Sequence, residues 1–171
     1  MTGQNGDTSI LVSMFRHNTW ANLRLLDACA GLDEAQLDAV AVGGYGSIHL
    51  TLTHIVRAEI NYVNRATGKT YATPLPPDQF PGFDVLREAA RWTGEELTQI
   101  AAHGRADDIV RVTRPDGKRA EYPLSGLLTQ AINHSTEHRA QVAAIITQLG
   151  LVPPEMDAWT YMVELGVYRE L

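Results

Sequence analysis

The sequence has one cysteine, no long apolar run and few basic residues. The single cysteine, Cys29, excludes an internal disulfide framework and is typical of proteins from a reducing compartment. No segment approaches roughly 18 consecutive apolar residues, so we predict no membrane span. Residues 1–7 are polar and contain two glycines, unlike a secretory signal. We therefore expect a cytoplasmic protein in which Cys29 is a small core hydrophobe rather than a nucleophile.

The shortage of basic residues also limits the choice of partner. The chain has 14 Lys and Arg against 20 Asp and Glu, which gives a formal net charge of −6. The basic residues are scattered along the chain, whereas nucleic-acid binding needs a basic face. We therefore do not expect nucleic acid to be a partner. With 171 residues, 44% of them hydrophobic, the chain is long enough to form one domain with its own core, and we predict a single domain over residues 1–171.

Apolar residues at helical spacing predict four long helices, at about residues 7–30, 47–66, 84–102 and 124–149. Asp7 or Thr8 is the predicted N-cap of the first helix and Ser47 that of the second. Residues 33–39 indicate one or two further helical turns. The tail, residues 155–171, contains Trp159 and Tyr161 and predicts a last helical segment that packs back on the bundle.

The connection between the second and third helices is unusually long. Residues 67–82 include four prolines and therefore cannot form a regular helix. Sixteen residues can span up to roughly 50 Å, whereas a twenty-residue helix is about 30 Å long. This crossover can therefore run the length of a bundle and let the two helices point the same way. Before the fourth helix, the sequence Arg-Pro-Asp-Gly at residues 114–117 predicts the turn of a short β-hairpin.

Two of the six histidines lie four residues apart in the fourth predicted helix. Residues at this spacing are neighbours on one helix face, so His134 and His138 can chelate one metal ion. The alternative is that one caps the bundle and the other is a hydrogen-bonded core histidine. Because a catalytic zinc has three protein ligands, we predict His54 on the second helix as the third; it borders the small residues Thr51 and Ala58.

The other three histidines are not predicted to be ligands: His17 and His103 are predicted to be structural, and His49 to face solvent or a helix seam. His17 has no histidine partner one helical turn away. His49 lies five residues from His54, so the side chains of His49 and His54 cannot face the same site. His103 falls at a helix C-terminus, where a cation interacts favourably with the helix dipole.

Two charged residues have open interpretations at this stage. Glu59 lies within an apolar stripe, either reaching solvent at an end of the bundle or hydrogen-bonded to a buried group, which could be a ligand imidazole. Arg139 either approaches an acidic substrate or the carboxylate of a bound thiol, or forms a surface or interface salt bridge. The sequence alone does not distinguish these alternatives.

Two other metal-site classes share parts of this pattern. His134–Ser–Thr–Glu137–His138 matches the H-x-x-E-H motif of inverted zinc peptidases, in which the glutamate is a general base. On a helical wheel, however, Glu137 faces outward, and Glu164 is a weak candidate for the further carboxylate that such a site needs. A di-iron bundle requires paired Glu-x-x-His motifs, which the sequence lacks. A third class is non-enzymatic: a metal-stabilised dimer that acts in binding or in a stress response.

Several motifs together resemble the DinB/YfiT-like family. They are Thr-His-Ile-Val-Arg-Ala-Glu at residues 53–59, Asn-His-Ser-Thr-Glu-His-Arg-Ala-Gln at residues 133–141, His-Asn-Thr-Trp-Ala-Asn at residues 17–22, Pro-Asp-Gly-Lys at residues 115–118 and the stop at Gly150. The resemblance covers most of the chain. One departure is Ala140, which replaces the glycine of the usual His-Arg-Gly-Gln run and bears on close helix packing there.

The resemblance implies a fold, a site and a reaction class. The fold is an all-α four-helix bundle in up-down-down-up order, with a long crossover between helices 2 and 3 and, here, a small β-hairpin before helix 4. The implied metal ligands are His54, His134 and His138, which hold a divalent ion, zinc or nickel. Members with assigned activity include S-transferases and isomerases that use low-molecular-weight thiols. The resemblance therefore implies a metal-dependent thiol S-transferase, or a related hydrolase or isomerase, that acts on a small molecule as a homodimer.

Overall fold

A computed structural model describes residues 9–114 and 116–170, and these form a mostly helical protein with one small antiparallel sheet. Four long helices are present at the four predicted places. In chain order the elements are α1 (Ile10–Cys29), α2 (Glu34–Leu37), α3 (Ile48–Thr67), α4 (Phe83–His103), β1 (Ile109–Thr113), β2 (Arg119–Pro123), α5 (Leu124–Gln148) and α6 (Ala158–Glu164).

The helix ends follow local sequence signals. Helix α1 begins after Ser9, whose side chain accepts a hydrogen bond from the backbone N–H of Val12. The predicted caps Asp7 and Thr8 lie outside the described residues. Ser47 occupies the N-cap position of α3 as predicted, although its side chain makes no capping hydrogen bond. Gly68 ends α3 with φ of 76°, a conformation that glycine adopts without strain.

The core consists of two clusters, and each of the four long helices contributes to both. The first cluster contains, from the long helices, Leu25, Leu26, Cys29, Ile48, Leu52, Val56, Leu86, Ala89, Ala90, Val142, Ile145 and Ile146. The second contains Val12, Phe15, Tyr62, Val63, Leu97, Ile100, Ala101, Leu124, Leu127, Leu128 and Ala131. Cys29 is fully buried in the first cluster, and burial raises the pKa of its thiol to about 12, which confirms its predicted role as a core hydrophobe.

The crossover is irregular, as its prolines predict. Residues 68–82 contain no helix or strand, and all of them are described. Leu75 is buried in the first core cluster, and Tyr71 and Phe80 pack against that cluster. These apolar contacts anchor the segment to the bundle along its course.

The β-hairpin packs on the second core cluster. Strands β1 and β2 pair in antiparallel register, with Ile109 opposite Pro123 and Thr113 opposite Arg119. Val110 is buried in the second core cluster. Gly117 has φ of 79°, as the turn requires, whereas Pro115 lies outside the described residues.

The C-terminal segment packs on α1, as predicted. The ring of Tyr161 lies 5.2 Å from that of Trp20 and 5.5 Å from that of His17. His17 also forms a hydrogen bond through Nε2 to the carbonyl oxygen of Met156, at 2.9 Å, so its role is structural. None of the helices in residues 9–114 and 116–170 combines the length and apolar character that crossing a bilayer requires.

Candidate metal centre

Helices α3 and α5 bring three histidines to one point in the bundle. His54 comes from α3, while His134 and His138 lie one turn apart on α5. One ring nitrogen from each of the three lies within 4.8 Å of the other two. The Nε2 atoms of His54 and His134 are 3.0 Å apart. The structure therefore places together the three side chains that the sequence singles out.

The spacing of these nitrogens fits a metal ion. Two nitrogens that each lie about 2.0–2.1 Å from a tetrahedral zinc are about 3.3 Å apart. The separation of 3.0 Å between the Nε2 atoms of His54 and His134 is close to this value. The ring centroids of His138 lie 4.7 Å and 4.4 Å from those of the other two histidines, so a small side-chain adjustment brings all three within reach of one ion.

Burial keeps the imidazoles of His54 and His134 in the form that binds metals. Desolvation, together with the neighbouring His134, His138 and Arg57, lowers the pKa of His54 from 6.5 to about 4. Burial, followed by the proximity of His138, also lowers the pKa of His134. Both side chains are therefore neutral at pH 7, and a neutral imidazole nitrogen offers the lone pair that a metal needs.

Gln141 sets the orientation of His138. Its Oε1 atom lies 2.8 Å from Nδ1 of His138 and 3.2 Å from the backbone nitrogen of Tyr45. A backbone N–H can only donate, so the Gln141 atom between them is the oxygen, and Nδ1 of His138 must donate to it. The proton of His138 is then on Nδ1, and its Nε2 carries the lone pair. Outer hydrogen bonds of this kind orient histidine ligands in metal sites.

Tyr45 covers one side of the cluster. Its ring stacks on that of His54 with centroids 3.8 Å apart and planes 17° from parallel. The same ring meets His138 edge-on at 5.3 Å. Tyr45 belongs to the glycine-rich loop before α3, and its backbone hydrogen bond to Gln141 attaches this loop to α5.

Glu59 is hydrogen-bonded to buried groups, as one of the two predictions has it, but not to the histidines; the alternative position at an end of the bundle is wrong. Its carboxylate, only 1% exposed, accepts four hydrogen bonds, none from a histidine of the described chain. The side chains that donate, at distances of 2.7–2.9 Å, are Asn18 and Asn22 on α1, Thr93 on α4 and Ser135 on α5. Because these donors fill the carboxylate's acceptor positions within the core, Glu59 connects all four long helices instead of supporting a ligand.

Arg139 extends this buried network and forms no salt bridge with a described residue. Its Nη1 atom donates to the side-chain oxygens of Asn18 and Asn22, both at 2.7 Å, and Nη2 donates to Thr136 at 3.0 Å. The predicted surface or interface salt bridge is therefore wrong for the described chain: Arg139 is 5% exposed and directed at α1. Burial lowers its pKa to about 10, so it stays charged at pH 7.

The remaining histidines lie away from the cluster, as predicted. His49 contacts Asp38, with 3.3 Å between Nδ1 and Oδ1, and His103 bonds through Nδ1 to a carbonyl of its own helix.

The two carboxylates that a zinc-peptidase site would need, those of Glu137 and Glu164, are engaged elsewhere or face solvent. Glu137 is exposed on α5, as the helical wheel predicts, and Glu164 binds Arg24 and the indole of Trp20 instead. Ala140 is also exposed, so replacing the usual glycine there does not affect helix packing.

Sequence reasoning gave no role to several residues that shape the site. Gln141 was detectable, because it lies three residues after His138 and hence on the same helix face. Asn18 and Asn22 carried a similar signal, four residues apart on a helix that otherwise buries apolar side chains. The stacking of Tyr45 on His54 has no sequence signal, since it depends on the path of a glycine-rich loop.

The fold and the site define a class of protein: mostly helical, with a three-histidine cluster between two of its long helices. A model of the DinB family matches residues 1–166, and the chain therefore belongs to that family. The chain is similar to protein DinB of Bacillus subtilis, with 19% identity over 157 residues that cover 87% of this chain and 91% of that protein. Its fold is similar to the crystal structure of a DinB-like protein from Bacillus cereus, with a TM-score of 0.62 and 19% identity over 85% of this chain and 94% of the other.

Proposed function

We propose that this DinB-family protein binds one divalent metal ion, zinc or nickel, through His54, His134 and His138. The observation that carries the proposal is the convergence of one nitrogen from each ring within 4.8 Å. The cluster contains no fourth histidine, cysteine or carboxylate from the described chain. Three imidazoles without a fourth protein ligand leave a coordination position for water or substrate, as in catalytic zinc sites.

The activity that such a site supports best is thiol-dependent S-transfer to a small electrophile, or a related hydrolase or isomerase reaction. A divalent ion supplies a Lewis acid that lowers the pKa of a bound thiol or water. The chain's own residues hold His138 in one tautomer through Gln141 and keep His54 neutral by burial. His54 and His134 are half-buried, which leaves part of each residue exposed to solvent.

A second candidate is a non-enzymatic, metal-stabilised protein that acts in binding or in a stress response. The stacking of Tyr45 on His54 favours it, because the ring covers part of the site. The two candidates differ in whether the metal-loaded protein conjugates thiols. A metal that raises the melting temperature but supports no turnover with any thiol indicates the second.

Metal binding is tested first, by metal analysis of protein purified without added ions and by calorimetric titration with zinc and nickel. We expect one ion per chain. His134→Ala removes a ligand, so its affinity should fall by more than the roughly 10- to 100-fold caused by losing an outer hydrogen-bond partner. The matched control is His103→Ala, since His103 bonds only within its own helix among the described residues. Equal affinities of the two variants would contradict the proposal.

The reaction is tested with metal-loaded protein, a set of low-molecular-weight thiols and a small electrophile. We expect conjugation that is lost in His134→Ala and on chelation, and retained in His103→Ala. Conjugation that survives chelation would separate the activity from the metal site.

The helix order and the domain extent are part of the same proposal. We propose one domain over residues 1–171, with the four long helices in up-down-down-up order. Support comes from the core: early residues of α3 and α4 belong to the first cluster and later ones to the second, whereas α1 and α5 show the reverse. The irregular crossover of residues 68–82 is long enough to join two helices that point the same way.

We also propose that the protein is a cytoplasmic homodimer. The single buried cysteine supports the proposed cytoplasmic location. The dimer is supported by the exposed apolar side chains Trp159, Val163 and Tyr168 of the C-terminal segment, which are 65%, 58% and 44% exposed. We expect Trp159→Glu to be monomeric by light scattering, because a charge would have to be buried. An unchanged dimer would place the interface elsewhere, and a monomeric unmodified protein would contradict the dimer itself.

A further inference from the structure

A cavity of about 430 Å³ lies between α1, α5 and the C-terminal segment, and none of the three clustered histidines lines it. Its walls are mostly apolar and include Met14 from α1, Ile132 from α5, and Tyr161 and Met162 from α6. Small-molecule sites have volumes of roughly 300–1,000 Å³ and combine such walls with a few convergent polar groups. The size and lining of this cavity are therefore those of a ligand site.

The charges around this cavity have one sign. Among its described lining residues, the only Lys, Arg, Asp or Glu side chains are Arg16 and Arg139, and neither Asp nor Glu is present. The chain as a whole carries a formal charge of −6. A cavity with two guanidinium groups and no carboxylate in an acidic protein attracts an anion.

The guanidinium of Arg139 is held in a position to bind such an anion. Asn18, Asn22 and Thr136 take three of the five N–H donors of its guanidinium, and no other described residue accepts from it. These bonds hold the side chain in place while it is 5% exposed. A guanidinium that is fixed and largely removed from water binds a carboxylate more strongly than a mobile surface arginine does. Its nearest buried acid, Glu59, is separated from it by the asparagine amides and already accepts four hydrogen bonds.

We propose that this cavity is a second ligand site and that it takes a small carboxylate with an apolar body, such as a medium-chain fatty acid or an aromatic acid. The carboxylate meets Arg139 and Arg16, and the apolar body lies against Met14, Ile132 and Met162. The site is separate from the three histidines and goes beyond the proposed metal-dependent function.

The test uses displacement of the fluorescent probe anilinonaphthalene sulfonate, which itself combines an apolar body with an anionic group. Octanoate, octanol and octylamine share one apolar chain and differ in charge. We expect saturable binding of one probe per chain, with octanoate displacing it at a concentration roughly tenfold or more below that of octanol, since hydrogen bonds to charged groups are strong. Octylamine should be the weakest of the three.

Two variants and two control variants locate the binding in the cavity. Met14 is 44% exposed, so Met14→Trp adds bulk at the cavity without disturbing the core, and should abolish displaceable binding. Arg16→Gln should weaken octanoate binding about two- to fivefold, in line with an exposed ion pair. The matched control is Arg91→Gln, which changes the net charge equally but lies outside the cavity. His54→Ala should leave probe binding unchanged, so the outcome is independent of the metal proposal.

Equal displacement by octanoate and octanol would overturn the carboxylate preference. Binding that survives in Met14→Trp would overturn the location. Probe binding that appears only after a dimer dissociates would mean that a second copy of the chain occupies this face, and it would overturn the proposal as well. Circular dichroism verifies that each variant is folded, both those at the exposed positions on α1 and α4 and His54→Ala on α3.

Discussion

The Glu59 network and the three-histidine cluster are both polar groups inside the same bundle, but their hydrogen-bonding capacity is used differently. In the network, one carboxylate meets four donors, and Asn18 and Asn22 connect it to Arg139. In the cluster, imidazole nitrogens face one another, and the buried Nδ1 of His134 has no partner in the described part of the chain. The network is nearly complete, whereas the cluster is not.

This difference separates a structural polar group from a binding site. A buried group whose donors and acceptors are all paired contributes to stability and specificity of packing and needs nothing further. Three imidazoles this close together cannot all be hydrogen-bonded to one another, so lone pairs remain available to a cation. The comparison predicts that damage to the network lowers stability, while damage to the cluster lowers metal affinity.

The largest expected effect is the loss of stability on disrupting the Glu59 network. Glu59→Ala leaves four buried donors without an acceptor and breaks the network that positions Arg139, so the free energy of unfolding should fall by about 3–5 kcal/mol. Chemical denaturation measures this loss. The control is Glu137→Ala on α5, whose side chain is exposed and whose replacement should change stability by no more than about 0.5 kcal/mol. Similar losses in the two variants would mean that the network has no special structural role.

A smaller effect is expected from the residue that supports the cluster. Gln141→Ala removes the hydrogen bond to Nδ1 of His138 and frees the ring to change tautomer, so affinity for zinc should fall roughly 10- to 100-fold with little loss of stability. Calorimetric titration measures the affinity. Gln148→Ala is the matched control, because Gln148 is exposed on the same helix. If metal affinity is unchanged in Gln141→Ala, the glutamine does not act on the site.

The smallest effect is the pH dependence of the metal-free protein. His54 takes up a proton at about pH 4 in the folded chain but at about 6.5 in the unfolded chain. The unfolded state therefore binds more protons between these values, and the stabilising contribution present above pH 6.5 is lost as the pH falls toward 4. The urea midpoint should decrease less over this range in His54→Ala than in the unmodified protein. An identical decrease would show that His54 titrates normally in the folded state.

Sequence patterns predicted most of the helical framework because its signals are local. The caps, the apolar spacing and Gly68 and Gly150 act within a few residues, and they gave the bounds of α3, α4 and α5 to within one or two residues. The pair His134 and His138 was also local, since helical spacing alone makes them neighbours. The third histidine was predicted because a metal needs more than two ligands, and the structure brings His54 beside the other two.

The sequence was a weaker guide to the roles of polar side chains whose hydrogen-bond partners lie on other helices. Glu59 was recognised as unusual, but its partners come from α1, α4 and α5, and nothing in its own helix indicates them. For Arg139 the sequence left a substrate contact and a salt bridge open, and only the asparagines of α1 explain why the side chain is buried.

The sequence by itself determined the helices, their ends, the long crossover and the paired histidines of α5, because each depends on interactions within one segment of chain. The tertiary structure alone decided the direction of His138 through Gln141, the stacking of Tyr45 on His54, and the assignment of Glu59 and Arg139 to a network instead of the site. Those features depend on which side chains meet across packed helices. A buried polar group takes whichever partner the packing brings within hydrogen-bonding distance.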